Sequence, residues 1–116
     1  METLKGKNVL LIGATGGIGS KTAGLLAGSS ASLFLTGRNE SKLKQVAADC
    51  GVTEERTFIL DISQPAAVNE LKEKYFQQLS TIDILINAAG IGIIKPMETL
   101  SEADFLCSLN LNLYAP

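Results

Sequence analysis

The chain has 116 residues, 46% of them hydrophobic and 19% charged, with a formal net charge of -2 and no histidine. That length supports one globular core over residues 1–116, and that charge offers no broad cationic field to hold nucleic acid or an anionic membrane. Without histidine, Ser-His-Asp and Cys-His nucleophiles are excluded; Cys50 and Cys107 form no C-x-x-C pair, so no metal site is expected and both thiols read as free.

No apolar run approaches the roughly 18 residues of a membrane helix, and the opening M-E-T-L-K-G-K lacks the apolar core of a signal peptide, so a cytoplasmic location is expected. In chain order, residues 8–12 (N-V-L-L-I) are apolar nearly throughout, as a strand covered on both faces must be. They run into G-A-T-G-G-I-G, with a helix expected over residues 17–27. A second strand is expected over residues 32–36, and a helix over 40–49 with Leu43, Val46 and Ala47 on one side. A third strand over 56–60 precedes a helix over 65–76, where Pro65 suits the first turn because the amide hydrogen it lacks would have no partner there. The fourth strand is expected over 82–87. Ser101-Glu102-Ala103-Asp104 resembles a capping box opening a last helix, inside which the sequence reaches Pro116.

Strand and helix in this rhythm imply parallel pairing through crossover helices, hence an α/β doubly wound sheet, cut off after its fourth strand and the start of the next helix. A strand order of 3-2-1-4 would leave the fourth strand, I-D-I-L-I-N, as an edge of high β-propensity, prone to recruit another copy of the chain.

The glycine turn has a chemical reading. A strand ending at Ile12 and a helix starting near Gly17 put unpaired amides and the positive end of the helix dipole at the carboxyl edge of the sheet, a place for phosphate. Glycines at 13, 16, 17 and 19 fit both G-x-x-x-G-x-G and G-x-x-G-x-x-G. A valine at Gly17 is expected to obstruct both an approaching pyrophosphate and the packing of helix on strand. The fourth strand ends in N-A-A-G, whose small residues Ala88, Ala89 and Gly90 leave room for a ribose beside the first turn, while the Asn87 amide can bridge backbone groups of adjacent strands.

With both motifs, about 70 residues apart, the chain resembles the short-chain dehydrogenase/reductase family, which carries T-G-x-x-x-G-x-G after strand one and N-N-A-G after strand four. The single-domain branch fits better than the extended branch. The resemblance implies a Rossmann fold in which Gly13, Thr15, Gly17, Ile18 and Gly19, with Gly16 in the same turn, cradle a pyrophosphate. It places Asp61 at the adenine amino group with Ile62 against the ring, and Asn87, Ala88 and Gly90 along the ribose. Asp61 has a second reading, as a local acceptor near Ser63. Ile12 and Ala88 depart from the family's threonine and second asparagine; neither closes the phosphate site.

At the end of strand two the chain reads L-T-G-R-N-E. No carboxylate stands there to accept from ribose hydroxyls, and Arg38 offers a fork of donors to a 2'-phosphate, so NADP(H) is expected over NAD(H), with Glu40 as an ion-pair partner for Arg38. The family's tyrosine followed four residues later by lysine is missing: Tyr75 is followed at that distance by Leu79, and Tyr114 lies near the end. Of the family's catalytic residues a candidate exists for the helix asparagine alone, Asn112, with Asn110 as its rival. The expectation is the N-terminal part of an oxidoreductase moving hydride between a nicotinamide cofactor and a small carbonyl or alcohol substrate, inactive alone and part of a homo-oligomer. The alternatives are a nucleotide-sensing module, or a fragment of an extended-type epimerase or dehydratase.

Overall fold

The structure is a computed structural model that describes residues 2–116; Met1, where the stretch read for a leader begins, lies outside them. Four strands form one parallel sheet: β1 (Asn8–Ile12), β2 (Ser32–Gly37), β3 (Thr57–Ile59) and β4 (Ile84–Asn87). Their order is β3-β2-β1-β4. This is the doubly wound α/β arrangement, because the apolar residues of each strand divide between two helical layers. On one face Val9, Leu11, Leu33 and Leu35 pack with Ala23 and Leu26 of α1 (Gly17–Ala27) and with Leu43 and Ala47 of α2 (Glu40–Cys50). On the other, Leu10, Phe34 and Phe58 pack with Leu71 of α3 (Pro65–Lys74), with Tyr75 and with Leu79 of α4 (Phe76–Leu79).

Local chemistry sets the element ends. Asn39 caps α2 by accepting from the Lys42 amide at 3.0 Å, and Gly51 closes the helix in the left-handed conformation at φ 68°. Pro65 stands in the first turn of α3, as expected. Ser101 and Asp104 form a reciprocal capping box, each side chain bonding the other's amide at 3.1 Å, at the start of α5 (Glu102–Leu109).

Four expected elements differ in extent by more than a single residue. β3 is shorter than residues 56–60, because Glu54–Arg56 form a 3-10 turn closed by the Arg56 amide on the Thr53 carbonyl. β4 starts two residues late, after the amides of Thr81 and Ile82 have bonded back into the end of α4. The single helix expected over 65–76 breaks at Tyr75 (φ -116°, ψ 26°), whose ring lies 4.6 Å from that of Phe58. The last helix ends as an α-helix at Leu109 and widens into a π-type turn over Asn110–Tyr114, closed by the Ala115 amide on the Asn110 carbonyl.

Candidate functional site

Parallel strands end on one side of the sheet, so Ile12, Gly37 and Asn87 bring their following loops together. The register explains how closely: the Ala14 amide bonds the Thr36 carbonyl at 2.9 Å and the Ala88 amide bonds the Ile12 carbonyl at 2.8 Å, so the pairing runs on into the loops after β1 and β4. Between them lies a cavity of about 110 Å³. Gly13, Thr15, Gly16, Arg38, Ile62, Ala88 and Gly90 of the expected site line it, joined by Ile12, Gly37, Leu60, Ala89 and Leu111.

Gly13 leaves β1 at φ +79°, where an L side chain is strained, and a Cβ there would come within 2.6 Å of the Ala89 amide nitrogen. Gly19, buried in the first turn of α1, faces this bend: a Cβ on it would collide with the Gly13 carbonyl oxygen. Gly17 has nothing within 4 Å of where its Cβ would stand. The expected clash between a Gly17 side chain and the helix–strand contact is thus absent, and the tight contact belongs to Gly19, because the helix turns Gly17 outward. Gly16 sits at the N-cap of α1 with no side-chain cap, so helix geometry leaves the amides of Gly17, Ile18 and Gly19 without intrahelical acceptors. Ile18 is 79% exposed and does not line this cavity.

Arg38 follows β2 and is exposed, and among the described residues it forms no ion pair. Glu40, the expected partner, bonds Lys44 one helical turn along at 3.1 Å, the geometry an i,i+4 pair favours. Asp61 is held by Ser63, whose hydroxyl donates at 2.6 Å and whose amide donates at 3.0 Å. The Ser63 hydroxyl in the first place, then the Ser63 amide and the Arg38 charge, hold the Asp61 carboxyl below its ordinary value, while partial burial acts in the opposite sense. The local reading of Asp61 is therefore present in the structure, and Asp61 does not line the cavity.

Among the described residues Asn87 does not bridge strands. Its Oδ1 accepts from the Ala89 amide two residues on, at 3.0 Å, because the chain bends immediately after β4 and the nearest unpaired donor is its own. Asn112 does bridge. Its Oδ1 accepts from the Ile91 amide and its Nδ2 donates to the Ile91 carbonyl, both at 2.8 Å, which ties the loop after β4 to the π-type turn that follows α5. Asn110 turns elsewhere, donating to the Ser63 carbonyl at 3.4 Å. The two asparagines thus hold the loops after β4 and β3 respectively.

Gly37, Leu60 and Leu111 join the cavity without a motif that marks them, while Ala89 stands with the small residues expected beside a ribose. A glycine at the tip of β2 is a visible signal; the two leucines look in the sequence like ordinary core.

Comparison with known proteins agrees with this architecture. The family model for short chain dehydrogenases matches residues 7–116. An uncharacterised oxidoreductase of Staphylococcus saprophyticus is 37% identical over 94 residues, 78% of this chain and 40% of that protein. D-threitol dehydrogenase of Mycolicibacterium smegmatis is 32% identical over 112 residues, 95% of this chain and 43% of that protein. The crystal structure of a short chain dehydrogenase from Mycobacterium smegmatis superposes with a TM-score of 0.83 at 28% identity, over 99% of this chain and 49% of that one. The chain thus spans less than half the length of each. With the glycine turn, the small residues after β4 and the strand order all in agreement with a match along nearly its whole length, the chain belongs to the short-chain dehydrogenase family of oxidoreductases.

Proposed function

We propose that this chain is the NADP(H)-binding, N-terminal part of an oxidoreductase that moves hydride between the nicotinamide and a small carbonyl or alcohol substrate. The observation that carries the reading is the rim of the cavity at the end of β2, where glycine occupies the strand tip and Arg38 stands exposed beside it. The site suits an adenine dinucleotide: the first turn of α1 leaves amides without intrahelical acceptors, and the glycines at 13 and 19 let strand and helix approach closely. Gly13, Gly16, Gly17, Ile18 and Gly19 would offer backbone to the pyrophosphate, with the Thr15 hydroxyl beside them. Ile62, Asn87, Ala88 and Gly90 would border adenine and ribose, with Asp61 at the adenine edge. Asn112 would act by holding Ile91, and so the floor of the nicotinamide end, in place. The bound cofactor supplies the hydride; these residues bind and orient it.

Within the 116 residues no tyrosine is followed at the fourth position by lysine. A tyrosine whose hydroxyl is activated by such a lysine is the means by which the family resemblance has a proton passed. The chain on its own should therefore bind nucleotide and turn over no carbonyl. A charge-assisted contact to phosphate contributes about 1.5 to 3 kcal/mol, so NADPH should bind roughly ten- to a hundredfold more tightly than NADH. Arg38→Asp should abolish or invert that preference. Titrating both nucleotides against both proteins by calorimetry checks this. Equal affinities in the unmodified chain would refute the assignment of NADP(H), and reduction of a carbonyl panel by the unmodified chain would refute its inactivity alone.

A further inference from the structure

β3 is an edge of the sheet, paired on its inner side only. There the Leu60 amide bonds the Gly37 carbonyl of β2 at 3.0 Å. A trans peptide points its carbonyl opposite its amide, and the backbone groups of successive strand residues alternate sides. Ile59 therefore turns both its amide and its carbonyl outward, and among the described residues no turn or loop takes either. The strand, T-F-I, holds none of the charges or prolines that blunt an edge, and Ile59 is 56% exposed.

This edge borders a slot. α2 packs on one face of the sheet and α3 on the other, and between them runs a cavity of about 420 Å³. Phe58 and Ile59 line it from β3, Leu43 from α2, and Leu71 and Tyr75 from the α3 side. None of its lining residues is shared with the cavity at the carboxyl edge. A strand laid about 4.8 Å from β3 would send alternate side chains to opposite faces, one toward each helix, so the slot selects a strand that is apolar on both. Charge selects further. Lys44 is bonded to Glu40 at 3.1 Å and Lys74 lies over the Tyr75 ring at 5.3 Å, whereas Glu54 and Glu70 form no ion pair among the described residues. Both of these glutamates are exposed and line the cavity, which leaves two carboxylates to spare for a cationic partner.

We propose that the slot is a docking site for an extended segment of a partner protein, apolar through its middle and basic at its ends, that adds to β3 as a further strand. Ile59 bonds the backbone of the segment, Leu43, Leu71 and Tyr75 meet its apolar side chains, and Glu54 and Glu70 take its cations. Neither the surface nor its partner depends on whether a nucleotide binds.

The probe is a capped pentapeptide of three valines with a lysine at each end, titrated against the isotope-labelled full chain and followed by NMR at the backbone amides. The Ile59 amide should shift to saturation and exchange more slowly with solvent, while the amides of β4, the opposite edge, should stay where they are. The same peptide with glutamate at its ends should bind about tenfold more weakly, and one N-methylated at all three valines should not bind. Glu54→Lys combined with Glu70→Lys should reverse the order of the lysine and glutamate peptides. If that double variant does not fold, the three peptides on the unmodified chain decide alone. An Ile59 amide unmoved by the lysine peptide, lysine and glutamate peptides of equal affinity, or shifts at β4 in place of β3 would each overturn the proposal. Protection of the Ile59 amide that rises with chain concentration in the absence of peptide would assign the slot to a second copy of the chain, and would overturn it as well.

Discussion

Four glycines stand in the turn after β1, and they are not equivalent. Gly13 combines a left-handed backbone with contacts to the Ala88–Ala89 peptide, and Gly19 meets the Gly13 carbonyl, while Gly17 faces open space. The pattern follows from helix geometry: Gly17 and Gly19 lie two positions apart, on different sides of α1, so one of them faces the strand and the other does not. Gly19→Ala forces a backbone shift in a close-packed contact and should cost about 3 kcal/mol or more, whereas Gly17→Ala should change stability by about 1 kcal/mol or less. Urea unfolding followed by circular dichroism checks the pair. Equal costs for the two variants would mean that α1 does not seat on β1 through Gly19.

Among the elements, the end of α5 depends most on contacts from outside itself. A regular helix bonds only within itself, yet here the backbone widens over Asn110–Tyr114, in the stretch where the Asn112 side chain takes both backbone groups of Ile91. π-type turns of this kind concentrate at functional sites. The bond to Ile91 closes a span of 21 residues that includes the 3-10 turn Met97–Thr99 and the Lys95–Asp104 ion pair at 2.6 Å. Asn112→Ala removes both hydrogen bonds at an exposed position, so it should cost about 1 to 2 kcal/mol and speed hydrogen exchange at the Ile91 amide. Asn110→Ala, which loses one long bond to Ser63, should leave that amide's exchange unchanged. Exchange at Ile91 measured by NMR decides between them; unaltered exchange in Asn112→Ala would show that the loop is held by other contacts.

Across the whole molecule the sheet has two edges, β3 and β4. The radius of gyration is 15.3 Å, against about 13 Å for a compact domain of this length. Leu85 of β4 is 60% exposed, and Ile94, Phe105 and Leu106, later in the chain, are exposed apolar residues too. β4 offers backbone donors and acceptors with no charge on its four residues I-L-I-N, the combination that recruits further strands. The 116-residue chain should therefore self-associate as concentration rises. Leu85→Lys should suppress this at little cost to stability, since the side chain is already largely in solvent. Sedimentation velocity over a concentration series tests both statements, and a monodisperse monomer at high concentration would overturn them.

The order of strands and helices, the cap at Ser101, the helix start at Pro65 and the place of the loops at the carboxyl edge of the sheet were legible in the chain, because each depends on residues close in sequence. Apolar runs covered on both faces, a glycine turn between strand and helix, and small residues after the fourth strand need no distant partner to be recognised. The displaced element ends show where that stops: Tyr75 leaves its helix with its ring against Phe58, 17 positions earlier in the chain. The same limit applies at the site. That Gly19 and Gly37 face Gly13 and Thr15, that Asn112 holds Ile91, and that Asn87 bonds its own loop are matters of a few ångströms between segments that the sheet register brings together. Sequence pattern specifies which face of an element is buried; steric contact at the carboxyl edge is specified by how the strands are placed side by side, and that exists only in the folded chain.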